Sequence, residues 1–151
     1  MTAPVYSAPL DLVTTAVVEL IRSTGRDTYD GEYTGSPARP AYPYFLLYRI
    51  PGGSSDVTPD MDGDARTVTV AYQLTTVSNR RNQCEAAARV GRDRLLGRDG
   101  AGWVYGLSMP AGWLCIDRSA DRTMAGIDRS GTAPSAVFSL PSRYYLTITP
   151  A

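Results

Sequence analysis

The stretch from Arg66 to Val77 constrains the fold of this chain more than any other. Val68, Val70, Tyr72 and Leu74 alternate with Thr67, Thr69, Ala71 and Gln73. This period-2 pattern is that of a strand in a sheet with one covered face. It passes through Ser78 and Asn79 into RRNQCEAAARVGRDRLLG, a run rich in alanine and arginine with helical spacing. A long strand feeding a helix directly places the chain among α/β (α+β) folds. With 151 residues, 43% apolar and 20% charged, the sequence describes one globular domain, residues 1–151, closing a single core.

The rest of the chain supplies the other layers. A helix is expected from about Ala8 to Ser23, with Ser7 as N-cap, Pro9 in the tolerant first turn and Gly25 beyond the C-terminus. Leu10, Val13, Val17, Leu20 and Ile21 form its apolar stripe. A short strand is expected within Thr28–Tyr33, and Pro37, Pro40 and Pro43 hold the following segment extended. Tyr44–Ile50 reads as a strand ended by Pro51. The position of Arg49 implies that Tyr44, Leu46, Tyr48 and Ile50 face inward and that Phe45 and Leu47 lie on a second, partly covered surface. On the second helix Cys84, Ala87, Ala88, Gly91 and Leu95 mark the side that approaches a neighbour closely. The part from about residue 101 onward reads as β, with strands at Trp103–Leu107, Trp113–Asp117 and Tyr144–Thr149. The tetrapeptide Ile-Asp-Arg-Ser, at Ile116–Ser119 and again at Ile127–Ser130, reads as matched turns of a hairpin.

Charge is distributed unevenly although the chain is neutral as a whole, with 15 basic and 15 acidic residues. The loop PGGSSDVTPDMDGDA, residues 51–65, carries Asp56, Asp60, Asp62 and Asp64 and no arginine. It is as long as structureless loops in compact domains become, which marks it as functional or disordered. The second helix carries Arg80, Arg81, Arg89, Arg92, Arg94 and Arg98 against Glu85 and Asp93. Overall neutrality disfavours a general nucleic-acid binder, which needs a basic excess. No window reaches the roughly 20 apolar residues of a membrane span. Met1–Ser7 lacks the basic and apolar regions of a secretory signal, so synthesis and use in the cytosol are expected.

Candidate chemistry fails at each motif. The chain has no histidine and no lysine, because all 15 of its cations are arginine. Gly106-Leu107-Ser108-Met109-Pro110 lacks the closing glycine of a nucleophile elbow and any histidine to activate the serine. Asp60, Asp62 and Asp64 match the first three ligands of a calcium loop, yet its glycine position holds Ala65 and its bidentate glutamate position holds Ala71. Cys84 and Cys115 lack metal-site spacing and read as small buried hydrophobes. No catalytic, cofactor or metal residue is therefore assigned. A pair of carboxylates acting as acid and base is the enzymatic alternative, a small hydrolase of glycan or phosphodiester bonds.

The order of elements carries a resemblance. An amphipathic helix, Tyr29-Asp30-Gly31, and a proline-rich loop entering Pro43-Tyr44 and an apolar strand come first. The alternating strand, the alanine/arginine helix ending in Leu95-Leu96, and a β-rich tail with Tyr144-Tyr145 complete it. In this order the chain resembles the tail terminator, or tail-completion, proteins of long-tailed phages, with the segment Ser119–Thr132 departing from the simplest members. The resemblance implies a single mixed or antiparallel sheet with two helices on one face. It further implies a homo-oligomer, a hexameric ring, that caps the head-proximal end of the tail tube, halts its polymerisation and meets the head–tail connector. The protein would then be made in the host cytoplasm and reside in the virion. Another neck component or a minor tail protein is the alternative of the same class. The residues themselves add that opposite charge patches on one protomer can satisfy each other head to tail. On that basis Asp56, Asp60, Asp62 and Asp64 are expected to form an interface with Arg81, Arg89 and Arg92.

Overall fold

The computed structural model describes residues 8–33, 41–51, 67–121 and 126–151. These residues form two helices, α1 (Leu10–Arg22) and α2 (Arg81–Leu96), and eight strands. The strands are β1 (Thr28–Asp30), β2 (Tyr44–Ile50), β3 (Val68–Ser78), β4 (Arg98–Asp99), β5 (Gly102–Trp103), β6 (Trp113–Ala120), β7 (Asp128–Ser130) and β8 (Val137–Pro150). The main sheet runs β1-β2-β3-β8-β6, with β7 also paired to β8, and β4 and β5 form a separate two-stranded ribbon. Only β1 and β2 are parallel; the rest of the main sheet is antiparallel. The α+β class and the mixed sheet agree with the sequence reading.

Register explains why both helices cover the same face. Leu47 pairs with Leu74, and Phe45 with Thr76, across β2 and β3. Val70 pairs with Leu146, and Tyr72 with Tyr144, across β3 and β8. Alternation therefore puts Phe45, Leu47, Val70, Tyr72, Leu74, Tyr144, Leu146 and Ile148 on one side, all buried. Against them α1 packs Val13, Val17 and Ile21, and α2 packs Cys84, Ala87 and Leu95. Polar groups within this layer are paired: Thr14 Oγ1 lies 3.0 Å from the Tyr72 hydroxyl, and the Cys84 thiol donates to the Thr76 carbonyl at 3.3 Å.

This register reverses the expected faces of β2. Phe45 and Leu47 are fully buried under the helices, whereas Tyr44, Leu46 and Tyr48 are half-buried on the opposite face. Arg49 shares the helix-covered side but lies near the end of its strand, where its side chain is exposed. A charge at a strand end was thus a poor guide to the strand's middle. The opposite face is a polar and aromatic sheet surface. Thr69 and Thr147 hydroxyls meet at 3.0 Å, Thr67 and Thr149 at 3.1 Å, and Gln73 Nε2 donates to the Tyr48 hydroxyl at 2.6 Å.

Other boundaries shift as well. Helix α1 starts at Leu10, and Pro9 stands in the N-cap position without a side-chain cap; Ser7 lies outside the described residues. The expected strand Trp103–Leu107 is reduced to Gly102–Trp103. The final strand is longer than expected, because Pro141 is accommodated inside it. Pro141 falls within residues 140–143, which neither β6 nor β7 pairs, so a missing donor is tolerated there. The two Ile-Asp-Arg-Ser copies are not hairpin turns. Asp117–Ser119 and Asp128–Ser130 are strand segments laid along different parts of β8.

Arg118 anchors the end of α2. It is buried, donates from Nη1 to the Leu95 carbonyl at 3.3 Å and the Tyr105 carbonyl at 2.8 Å, and lies 4.8 Å from the Trp103 ring centre. A cation at a helix C-terminus is favoured by the helix dipole, and carbonyls plus an aromatic face replace the missing carboxylate.

Candidate assembly interface

The basic surface expected on the second helix divides into two parts with different roles. Arg81, Glu85, Arg89 and Arg92 follow one another at intervals of four, four and three, so they share one stripe of α2. Arg81, Arg89 and Arg92 are exposed on it. Arg81 Nε lies 3.5 Å from Glu85 Oε1, an exposed pair worth about 0–1 kcal/mol. Arg94 and Arg98 turn elsewhere. Arg94 donates to Ser23 Oγ at 2.8 Å and stacks 4.1 Å from the Tyr105 ring centre, tying α2 to the end of α1. Arg98 stacks on Trp103 at 4.6 Å.

The exposed stripe forms one wall of an open cleft of about 1190 Å³. Its other wall is β8 and the ends of β6 and β7, which contribute Arg143, Arg129 and Asp121. Phe138 and Leu140 line it with half-buried apolar surface. Among the described residues the sheet is interrupted beside the cleft. β7 pairs β8 at Val137–Ser139 and β6 pairs it at Tyr144–Pro150, leaving residues 140–143 without a described outer strand. Among the described residues, five arginines and two acids line this hollow. The sequence singled out Arg81, Arg89 and Arg92 but not Arg129 and Arg143, since only the register of β8 brings these into the lining of the same cleft. The interruption at Pro141 was the available signal.

The acidic half of the expected interface, Asp56, Asp60, Asp62 and Asp64, lies outside the described residues. The calcium-loop reading loses its last position to β3, where Ala71 is buried in a strand paired on both sides. The two acids of the cleft are already engaged, Glu85 by Arg81 and Asp121 by the Tyr145 hydroxyl at 2.8 Å. Among the described residues no group of three or more acidic, cysteine or histidine side chains gathers to hold a metal. Nor is any described helix long and apolar enough to cross a membrane. Ser108 is exposed in an irregular segment. Burial raises the Cys84 thiol to about 11, and burial also raises Cys115, partly offset by Arg118.

A second feature faces outward at the β1 edge. Tyr29, Tyr33 and Tyr42 all pack around Tyr44, the first two edge-on or tilted and Tyr42 stacked at 5.8 Å. Tyr42 is 40% exposed, so the cluster presents aromatic surface next to the open sheet face.

Together these features define an α+β domain with an open sheet face, a tyrosine edge and a basic cleft. The same fold occurs in a chain of a structure described as the virion of a native gene transfer agent (GTA) particle. The two superpose with a TM-score of 0.62 at 15% identity, over 95% of this chain and 98% of that one. No protein-family model and no curated protein sequence matches the chain.

Proposed function

We propose that this chain is a non-enzymatic structural protein of a phage-type virion, and that within the virion it is the tail terminator. Its subunits assemble as a hexameric ring at the head-proximal end of the tail tube, stop tube polymerisation and meet the head–tail connector. The observation that carries this reading is the end-to-end likeness in fold to a chain from a gene transfer agent virion. The sequence agrees, with no histidine or lysine and no catalytic motif that survives inspection. The open sheet face and the Tyr29–Tyr44 edge supply surface that a ring would cover, since tyrosine buries area while its hydroxyl stays hydrogen-bonded. In this ring, Arg81, Arg89 and Arg92 of one copy meet Asp56, Asp60, Asp62 and Asp64 of the next. Such a contact joins different surfaces of the two copies, and a contact of this kind that closes gives a ring.

A stopper or connector at the neck is the second reading, because the neighbour's description names a virion and no position within it. A reconstruction of the particle separates the two. Sixfold density for this chain directly on the last tube ring supports the terminator. Twelvefold density against the portal, or scattered single copies, overturns it.

A further inference from the structure

We propose that the cleft between α2 and β8 is a receptor for the Asp56–Asp64 segment of a second copy of this chain. The inference rests on the reading of the chain as a self-assembling ring protein, and it names the surfaces that meet.

Three properties of the cleft select such an occupant. Arg89 and Arg92 on one wall, Arg129 on the other and Arg143 at the open-face edge of β8 are all exposed, and none forms an ion pair with a described residue. Phe138 and Leu140 add apolar surface between those walls. The backbone edge at residues 140–143 offers little to a ligand. Pro141 has no donor, and the Arg143 carbonyl already accepts from the Asp121 N–H at 3.2 Å. Full strand addition is therefore disfavoured. Recognition falls to side chains, guanidinium groups on carboxylates with apolar contacts between them. Asp56-Val57-Thr58-Pro59-Asp60-Met61-Asp62 has that mixed character, with Val57 and Met61 set among the aspartates. A nucleic-acid backbone would answer the arginines but not the apolar surface.

Reach argues for a neighbouring copy. The segment leaves the sheet after Ile50 and returns at Val68, whereas the cleft lies beside residues 140–143, paired with Gln73–Thr76. That is about 20 Å along β3 and about 10 Å sideways to the outer edge of β8, at ~3.3 Å per residue and ~4.8 Å per strand. Going out and back takes about 45 Å, against about 58 Å for the 17 residues 51–67 fully extended, which leaves about four residues. Too little chain remains to lie along the cleft of its own protomer.

A fluorescent peptide of residues 52–66 tests this. The receptor is the full chain with Asp56, Asp60, Asp62 and Asp64 changed to Ser, which removes competition from its own segment. Saturable binding is expected, weakening with salt. Arg129→Ser with Arg143→Ser should weaken it about tenfold or more, whereas Arg49→Ser, outside the cleft, should not. A peptide with Val57→Ser and Met61→Ser should bind less tightly at every salt concentration. Thermal unfolding of each receptor confirms that it is folded. No saturable binding, or binding indifferent to Arg129 and Arg143, overturns the proposal. So does displacement of the peptide by a single-stranded oligonucleotide of equal length that binds more tightly. A ring still formed by the Asp→Ser chain would keep the assembly reading and sink this one.

Discussion

Gly91 of α2 stands directly against Leu74 of β3. A Cβ at Gly91 would lie 2.9 Å from Leu74 Cδ2 and 3.3 Å from Phe45 Cε1. The helix can approach the sheet this closely because its contact side is built from Cys84, Ala87 and Gly91. The two struck side chains are fully buried, so neither has free space to move into.

Gly91→Ala is therefore expected to destabilise the protomer even though alanine is the better helix former. Overpacking costs about 1–3 kcal/mol, and the gain in helix propensity returns about 1. A net loss of about 1 kcal/mol should appear as a lower urea midpoint at unchanged slope. Gly91→Val should lose about 3 kcal/mol. A Gly91→Ala protein more stable than the parent would mean that α2 stands further from the sheet.

The two faces of the sheet should respond unequally to substitution. Val70→Asp places an unpaired charge beneath the helices, at a cost of several kcal/mol against a total stability of about 5–15, and should unfold the protomer. Phe45→Ala should cost about 3–5 kcal/mol. On the open face, Gln73→Asp loses the hydrogen bonds to Tyr48 and Thr75 but remains near water, and should cost about 1 kcal/mol. Circular dichroism melts of the three variants check the order.

What the sequence made legible was whatever a single element decides for itself. The alternation of β3 and the small-residue side of α2 were readable because period and composition are local. The orientation of β2 was not, because it is decided by pairing Phe45 with Thr76 and Leu47 with Leu74 in a neighbouring strand. The extent of β8 was hidden by Pro141, which reads as a break unless the gap between β6 and β7 is known. The candidate interface divided in the same way. Arg81, Arg89 and Arg92 lie at one helical spacing and were found together. Arg129 and Arg143 meet them only through the sheet, and no local pattern carries that information.

Stability should fall in alkali in a way that reports on Cys84. Burial raises its thiol to about 11, while the unfolded chain ionises near 8.5. Below that pH both states keep the proton and the native state loses nothing. As pH rises from about 9 to 11 the unfolded state loses its proton first, so folding becomes progressively less favourable. Cys84→Ala should flatten this decline. Tyr144, raised by burial from the ordinary tyrosine value of 10.0 to about 12, adds a similar loss that begins about one and a half units higher and persists in the variant. A thiol reagent at pH 8 should leave Cys84 unmodified until denaturant is added. Equal alkaline slopes for the parent and Cys84→Ala would contradict the burial of this thiol.

Arg118 joins three parts of the chain: β6, the C-terminus of α2 through the Leu95 carbonyl, and β5 with the segment after it through the Trp103 ring and the Tyr105 carbonyl. Its Nε is buried without a partner, so the side chain is held by one end of its fork and by stacking. Arg118→Ala removes two charge-assisted hydrogen bonds and a cation–π contact, and leaves the carbonyls to find water. Relief of a desolvated charge offsets part of that, and a net loss of about 2 kcal/mol is expected. Arg118→Lys should not fully restore it, because an ammonium that reaches the two carbonyls leaves no planar group to stack on the indole. Damage should be local: hydrogen exchange should accelerate from Leu95 to Tyr105 while the centre of β3 stays protected. If both substitutions leave exchange in that segment unchanged, the segment is held by other contacts and Arg118 is only a filler of space beneath α2.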